Sequence, residues 1–180
     1  MRRGEQQHSH EALGGTAAVL VWFLLFGAGL LVDSAPYRTD LSEHFTFEDI
    51  AATICLYTPL NVALLTLLAG FAGGCLSRVT YAHWITQGTE GKADLPSDAG
   101  ITARMLFMTE SPFASTMRSF VVYLVVIGGL YITTNAPFDK PTSDQYVRFA
   151  GTVSLLSFVV GYDPTRLQDL MNLLPRKGSS

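Results

Sequence analysis

Four histidines, two cysteines and a sparse set of carboxylates are the side chains of this 180-residue sequence that could bind a metal, attack a substrate or move a proton. His8 and His10 form an isolated HSH pair, His44 lies beyond the first apolar run, and His83 stands beside Trp84. No set of them has the spacing of a zinc site with a second partner, so an interfacial or solvated role is expected. Glu90, Asp94, Asp98 and Glu110 fall in "YAHWITQGTEGKADLPSDAGITARMLFMTESPF" (81–113), where carboxylates could hold a metal or work as an acid–base pair. No spacing there makes two of them converge, and the segment lacks a phosphate-cradling Gly-Lys loop, a GxSxG elbow and an HExxH pair. Cys55 and Cys75 are expected on one helix, about 30 Å apart by the helical rise, too far for a disulfide. The expectation is therefore a protein that is not an enzyme, with no catalytic residue, cofactor or metal.

The uncharged groups become informative once the elements that hold them are laid out. Residues 12–32 contain no Asp, Glu, Lys or Arg, nor do 50–77, 119–138 and 149–162. About 20 apolar residues in a helix cover the ~30 Å hydrocarbon core of a bilayer, and a helix satisfies its own backbone there. "TAAVLVWFLLFGAGLLV" (16–32) has no polar stripe for water. The last gap is short and allows a re-entrant segment, but a helix from near Asp144, with Arg148 snorkelling outward, reaches far enough to span.

The predicted fold is all-α: an integral membrane four-helix bundle with a C-terminal amphipathic helix. A cytoplasmic tail (1–12) precedes a transmembrane domain (13–162) with spans at about 13–32, 47–77, 112–136 and 146–162 and a cytoplasmic segment at 78–111. Residues 163–180 form the amphipathic helix and basic tail. With the N-terminus inside, four spans put Arg2, Arg3, Arg78, Lys92, Arg104, Arg118, Arg166, Arg176 and Lys177 inside and Arg38, Lys140 and Arg148 outside. That bias satisfies the positive-inside rule and puts both termini in the cytoplasm, whereas three spans erase it. The first apolar run is longer than a signal-peptide h-region, and "VDSAP" makes a poor cleavage site, so an uncleaved anchor is expected. The net charge of −3 argues against a nucleic-acid partner.

Within the spans the faces differ. On span two, Ala51, Ala52, Cys55, Thr58, Val62, Thr66, Ala69, Gly70 and Gly73 share one side of an ideal helix, and Leu56, Leu60, Leu64, Leu67, Leu68 and Phe71 share the other. Gly70 and Gly74 also have GxxxG spacing, which allows backbones to approach closely in lipid. Span four divides into Ala150, Gly151, Ser154, Ser157 and Gly161 against Leu155, Leu156, Val159 and Val160. Spans two and four should pack centrally, span three should contribute Gly128-Gly129, and span one should face lipid. In "YTPLN", Pro59 removes a backbone donor and bends span two, freeing a carbonyl near Cys55, while Asn61 offers the strongest hydrogen-bonding side chain at membrane depth.

Three local signals set boundaries: a Thr46/Asp49 capping box for span two, Ser111-Pro112 before span three, and Asp163-Pro164 before the last segment. In that segment Leu167, Leu170, Met171 and Leu174 recur at helical spacing, and the one-faced helix they define is expected along the inner membrane surface or against the cytoplasmic segment.

No ionisable residue is expected deep in a span, which disfavours pumps and ion-coupled carriers. The functional expectation is a multi-pass protein of a cell membrane, taken from composition as a bacterial inner membrane, whose partners are the lipid bilayer and other copies of itself or other membrane subunits. One alternative is a pore lined by Thr58, Asn61, Thr66, Ser154 and Ser157. Another is a membrane-bound enzyme using the 78–111 segment through His83, Glu90, Asp94 and Glu110.

Overall fold

A computed structural model describes residues 2–31, 47–88, 111–133 and 142–163, with side chains for 10–31, 50–80, 111–130 and 142–163. These residues are helical throughout apart from short bends and caps, and among them there is no strand. Helix α1 runs Arg2–Leu31, α2 Phe47–Cys55, α3 Pro59–Gly88, α4 Pro112–Thr133 and α5 Ser143–Tyr162.

The starts of three helices follow from their first residues. Pro59 and Pro112 sit at the first helical position, where a missing N–H costs nothing and φ is already set. Ser111 caps α4 through its Oγ, which accepts from Ala114 N at 3.4 Å. Thr142 caps α5 the same way, accepting from Gln145 N at 3.2 Å. At the other end of α5, Asp163 N–H donates to Val159 O. Thr46, the segment 89–110 and the expected helix with Leu167, Leu170, Met171 and Leu174 lie outside the described residues.

Helix α1 begins at Arg2 and runs on into the apolar run, and Glu5, Gln6, Gln7, Glu11 and Ala12 favour helix there. The segment 47–77 is not one bent helix. It is divided by a bend at residues 56–58, and α3 then continues past Thr80 to Gly88.

Among the described residues, three helices are long and apolar enough to cross a membrane: His10–Leu31, Pro59–Thr80 and Pro112–Leu130. The fourth long helix, α5, carries Gln145, Arg148 and several Ser, Thr and Gly residues, which lower its apolar character. Helix α3 packs against all the others, and α5 and α1 make its most extensive contacts.

Residue pairs give the directions. Tyr146 meets Asn61 near the start of α5 and α3, and Gly161 meets Gly70 farther along both, so these two helices run parallel. Helix α1 is antiparallel to them, joining Glu11 to Arg78 at one end and Trp22 to Ser154 midway. Helix α4 is antiparallel as well, with Ser115 at Gly74, Ser119 at Gly70 and Tyr123 at Pro59.

The core lies near the start of α3. Tyr57, Val62, Leu65, Tyr146 and Ala150 are buried there, flanked by Trp22 and Phe26 of α1 and Tyr123 of α4. A run of ring contacts leads inward: Trp22 stacks on Phe26 at 4.8 Å between centroids, Phe26 stacks on Tyr146 at 5.2 Å, and Tyr146 meets Tyr57 in a tilted pair at 4.8 Å. Such pairs add about 0.5–1.5 kcal/mol each beyond burial.

Bulk is sorted outward. Leu13, Leu20, Phe23, Leu24 and Leu31 of α1, Phe113, Leu124 and Val125 of α4, and Leu155 of α5 are exposed, while Thr66, Ser115, Ser119, Ser154 and Ser157 are buried. A water-soluble helical protein sorts these residue types the other way.

Candidate functional site

The polar centre of the molecule is the break between α2 and α3. Proline at 59 has no N–H to donate and its ring would collide with the carbonyl four residues earlier, so α2 stops at Cys55. Three residues, Leu56, Tyr57 and Thr58, form the bend. Thr58 then starts the next helix: its Oγ1 accepts from Asn61 N at 3.2 Å and donates back to Thr53 O at 2.7 Å. One hydroxyl thus ties the end of α2 to the beginning of α3.

Asn61 completes the tie. Its Nδ2 donates to Ile54 O at 2.6 Å, taking up a carbonyl that the interrupted helix leaves without its usual partner. Its Oδ1 accepts from the Tyr146 hydroxyl at 3.0 Å, so α5 is drawn into the same network. Tyr123 Oη donates to Pro59 O at 2.9 Å and joins α4. Asn61 is 0% and Tyr146 1% exposed. In an environment without water these bonds replace ones that nothing else would supply. Of the expected site residues, Thr58, Pro59 and Asn61 come together here, with Cys55 half-buried at the end of α2.

One helical stretch farther on is a seam of small residues. A Cβ added at Gly70 would collide with the Ser119 side chain, one at Gly74 with Ser115, whose Cβ is 2.6 Å away, and one at Gly161 with the Gly70 carbonyl. At Gly73 the obstacle is α5 backbone: the Phe158 carbonyl, and Tyr162 N at 3.0 Å. Glycine is required at these positions by close approach, since only bare backbone fits. Hydroxyls stitch the same seam. Ser115 Oγ donates to Gly161 O at 3.2 Å, and Ser119 Oγ lies 2.9 Å from Ser115 O and 3.4 Å from Ser157 O.

The other expected residues have separate surroundings. Thr66 Oγ1 donates to Val62 O of its own helix at 2.6 Å. Ser154 Oγ accepts from Trp22 Nε1 at 3.1 Å. Ser157 Oγ is buried and has no hydrogen-bond partner among the described residues. Gly151 is not held by close approach among the described residues: an added Cβ meets nothing within 4 Å, and the residue opens onto an apolar crevice of about 360 Å³ bounded by Trp22, Leu68, Leu155 and Phe158.

Gly128 and Gly129 make no close approach to another helix among the described residues. A Cβ at either meets nothing within 4 Å among the described residues. Helix α4 instead approaches through Ser115 and Ser119, spaced i, i+4 on the turn beside α3. That spacing was legible as a small-xxx-small pair, but two serines near a helix start also read as ordinary capping chemistry. Tyr146 and Trp22 were likewise missed, since an aromatic in an apolar run signals packing and not a specific hydrogen bond.

At the opposite end from the break, Arg78 Nη1 and Glu11 Oε1 lie 2.8 Å apart between α3 and α1. Cys75 is buried nearby against Gly15, whose added Cβ would lie 2.9 Å from the Cys75 Cβ. The described residues include no group of three His, Cys, Asp or Glu able to hold a metal. Compared with protein-family models, curated proteins and solved structures, the chain matches none. The arrangement holds helices together through hydrogen bonds of hydroxyls and an amide, with Arg118 Nη2 also donating to Ser115 Oγ at 3.1 Å.

Proposed function

We propose that the chain is a non-enzymatic multi-pass membrane protein that acts through helix–helix association, as a homo-oligomer or as a subunit of a larger membrane complex. The observation that carries the proposal is the sorting of side chains: buried hydroxyls and an amide stand beside the apolar core, while large leucine and phenylalanine side chains are exposed along α1 and α4. Soluble monomers rarely expose apolar patches of more than a few hundred Å². Lipid or another transmembrane helix is the surrounding that such a surface fits.

In this reading α5 is the fourth crossing. Its 20 residues reach about 30 Å at 1.5 Å each. Its small face is turned to α3 and α4 and away from lipid, which offsets its lower apolarity. Four crossings return the C-terminus to the side of the N-terminus, and the charge bias makes that side the cytoplasm. A bacterial inner membrane remains the compartment proposed on composition.

The association surface differs from the one the sequence suggested. Apart from Gly151, the small faces of α3 and α5 are largely consumed within the chain, so partners would meet the bulky faces of α1 and α4. The same fact weighs against a pore inside one copy, because Thr58, Asn61, Thr66 and Ser154 are engaged in bonds within the chain. Crosslinking in native membranes followed by mass measurement tests the proposal. Discrete multimers or a reproducible co-purifying membrane partner are expected, and a strictly monomeric protein without a partner would refute it.

A further inference from the structure

Between α4 and α5, at the end where α5 begins, lies an open cavity of about 440 Å³ with two unlike parts. Its wall is apolar, made by Val126 and Leu130 of α4 and Phe149 and Val153 of α5, and its rim carries Asp144 and Arg148. These two charges stand one turn apart on α5, with Arg148 Nε 3.1 Å from the Asp144 carboxylate. Their side chains are 72% and 79% exposed, so the pair gains little from its own contact and can open to another partner at small cost.

We propose that this cavity binds one phospholipid with a zwitterionic, primary-ammonium headgroup, the phosphoethanolamine class. The inference rests on reading α5 as a membrane crossing, which sets its first turns at the headgroup level. Arg148 offers a guanidinium fork that matches a phosphate oxygen pair. Asp144, one turn nearer the helix start, accepts from the ammonium of the same headgroup. An acyl chain follows the wall formed by Val126, Leu130, Phe149 and Val153. Charge order selects the headgroup: a glycerol headgroup offers Asp144 uncharged hydroxyls in place of the ammonium, and a trimethylated ammonium has no N–H to donate.

Native mass spectrometry of the full chain in detergent, titrated with phosphatidylethanolamine, phosphatidylglycerol and phosphatidylcholine of matched acyl chains, tests the assignment. One phosphatidylethanolamine should bind at least about tenfold more tightly than either competitor, the scale of one charge-assisted hydrogen bond. Arg148→Gln and Asp144→Asn should each remove most of that preference, with unchanged helicity by circular dichroism as the folding control. Thr152→Trp, which fills the cavity from an exposed position, should lower the affinity for all three lipids. Equal binding of the three headgroups, or a preference that survives both charge substitutions, would overturn the site. Carbonate extraction separates the two claims: release of the chain from membranes defeats the membrane reading itself, whereas retention without headgroup preference defeats only the lipid site.

Discussion

Replacing Asn61 with Ala probes the join between α2 and α3 directly. The substitution deletes the 2.6 Å bond to Ile54 O and the 3.0 Å bond from Tyr146. Each bond is worth about 1 kcal/mol net, and a buried group left without a partner adds about 1–3 kcal/mol. Interhelical bonds inside membrane proteins average nearer ~0.6 kcal/mol, which pulls the total down. The orphaned Tyr146 hydroxyl would be buried, and the orphaned Ile54 carbonyl belongs to a half-buried residue. The expected loss is therefore about 2–4 kcal/mol. Tyr146→Phe removes only the second bond and should cost about 1 kcal/mol. The two changes share that bond, so the double variant should be less destabilised than the sum by about 0.5–1 kcal/mol. Denaturant unfolding in mixed micelles, followed by circular dichroism, supplies all four corners of the cycle. An Asn61→Ala variant within about 0.5 kcal/mol of the parent, or a cycle with no coupling, would refute the role given to Asn61.

Glycine substitutions should divide sharply by position. Gly73→Leu, which meets α5 backbone, is expected to cost more than about 3 kcal/mol or abolish folding, while Gly128→Leu is expected to leave the thermal midpoint within a few degrees. Among the hydroxyls, Ser115→Ala should cost about 0.6–1 kcal/mol in the same unfolding assay through loss of its bond to Gly161 O. Ser157→Ala should be neutral or slightly stabilising, since its Oγ has no partner among the described residues. Glu11→Gln weakens a partly shielded ion pair with Arg78 and should destabilise by about 1 kcal/mol, less at high salt.

Periodicity exposed some of this architecture and concealed the rest for identifiable reasons. The charge-free gaps located the long helices, because apolar length is written directly in composition. The small positions of 62–73 share one face on any regular helix, so the side of α3 that approaches its neighbours was visible before the neighbours were. Pro59 marked a disturbance but not its degree. A bend would have sufficed had Thr58 been unable to cap a new helix, and the clean break depends on Thr58 and Asn61 acting together across three residues. The carbonyl freed there is that of Ile54, near Cys55 as expected. The choice between Ser115/Ser119 and Gly128-Gly129 on α4 was illegible, because both sets are small and only the height at which α4 crosses α3 selects between them. The parallel course of α3 and α5 followed from counting crossings, whereas the Tyr146 bond that fixes their register depends on both helices at once.

The central claim is that α3 and α5 traverse the bilayer in the same direction, with α1 and α4 returning beside them. Single-cysteine labelling tests it most directly, in a background where Cys55 and Cys75 are replaced, with one probe cysteine at Ser9 and another at Ser179 in otherwise identical chains. In sealed right-side-out vesicles a membrane-impermeant thiol reagent should leave both positions unlabelled until the membrane is opened. Labelling of one end but not the other in the sealed vesicles would mean an odd number of crossings, and the account would be wrong.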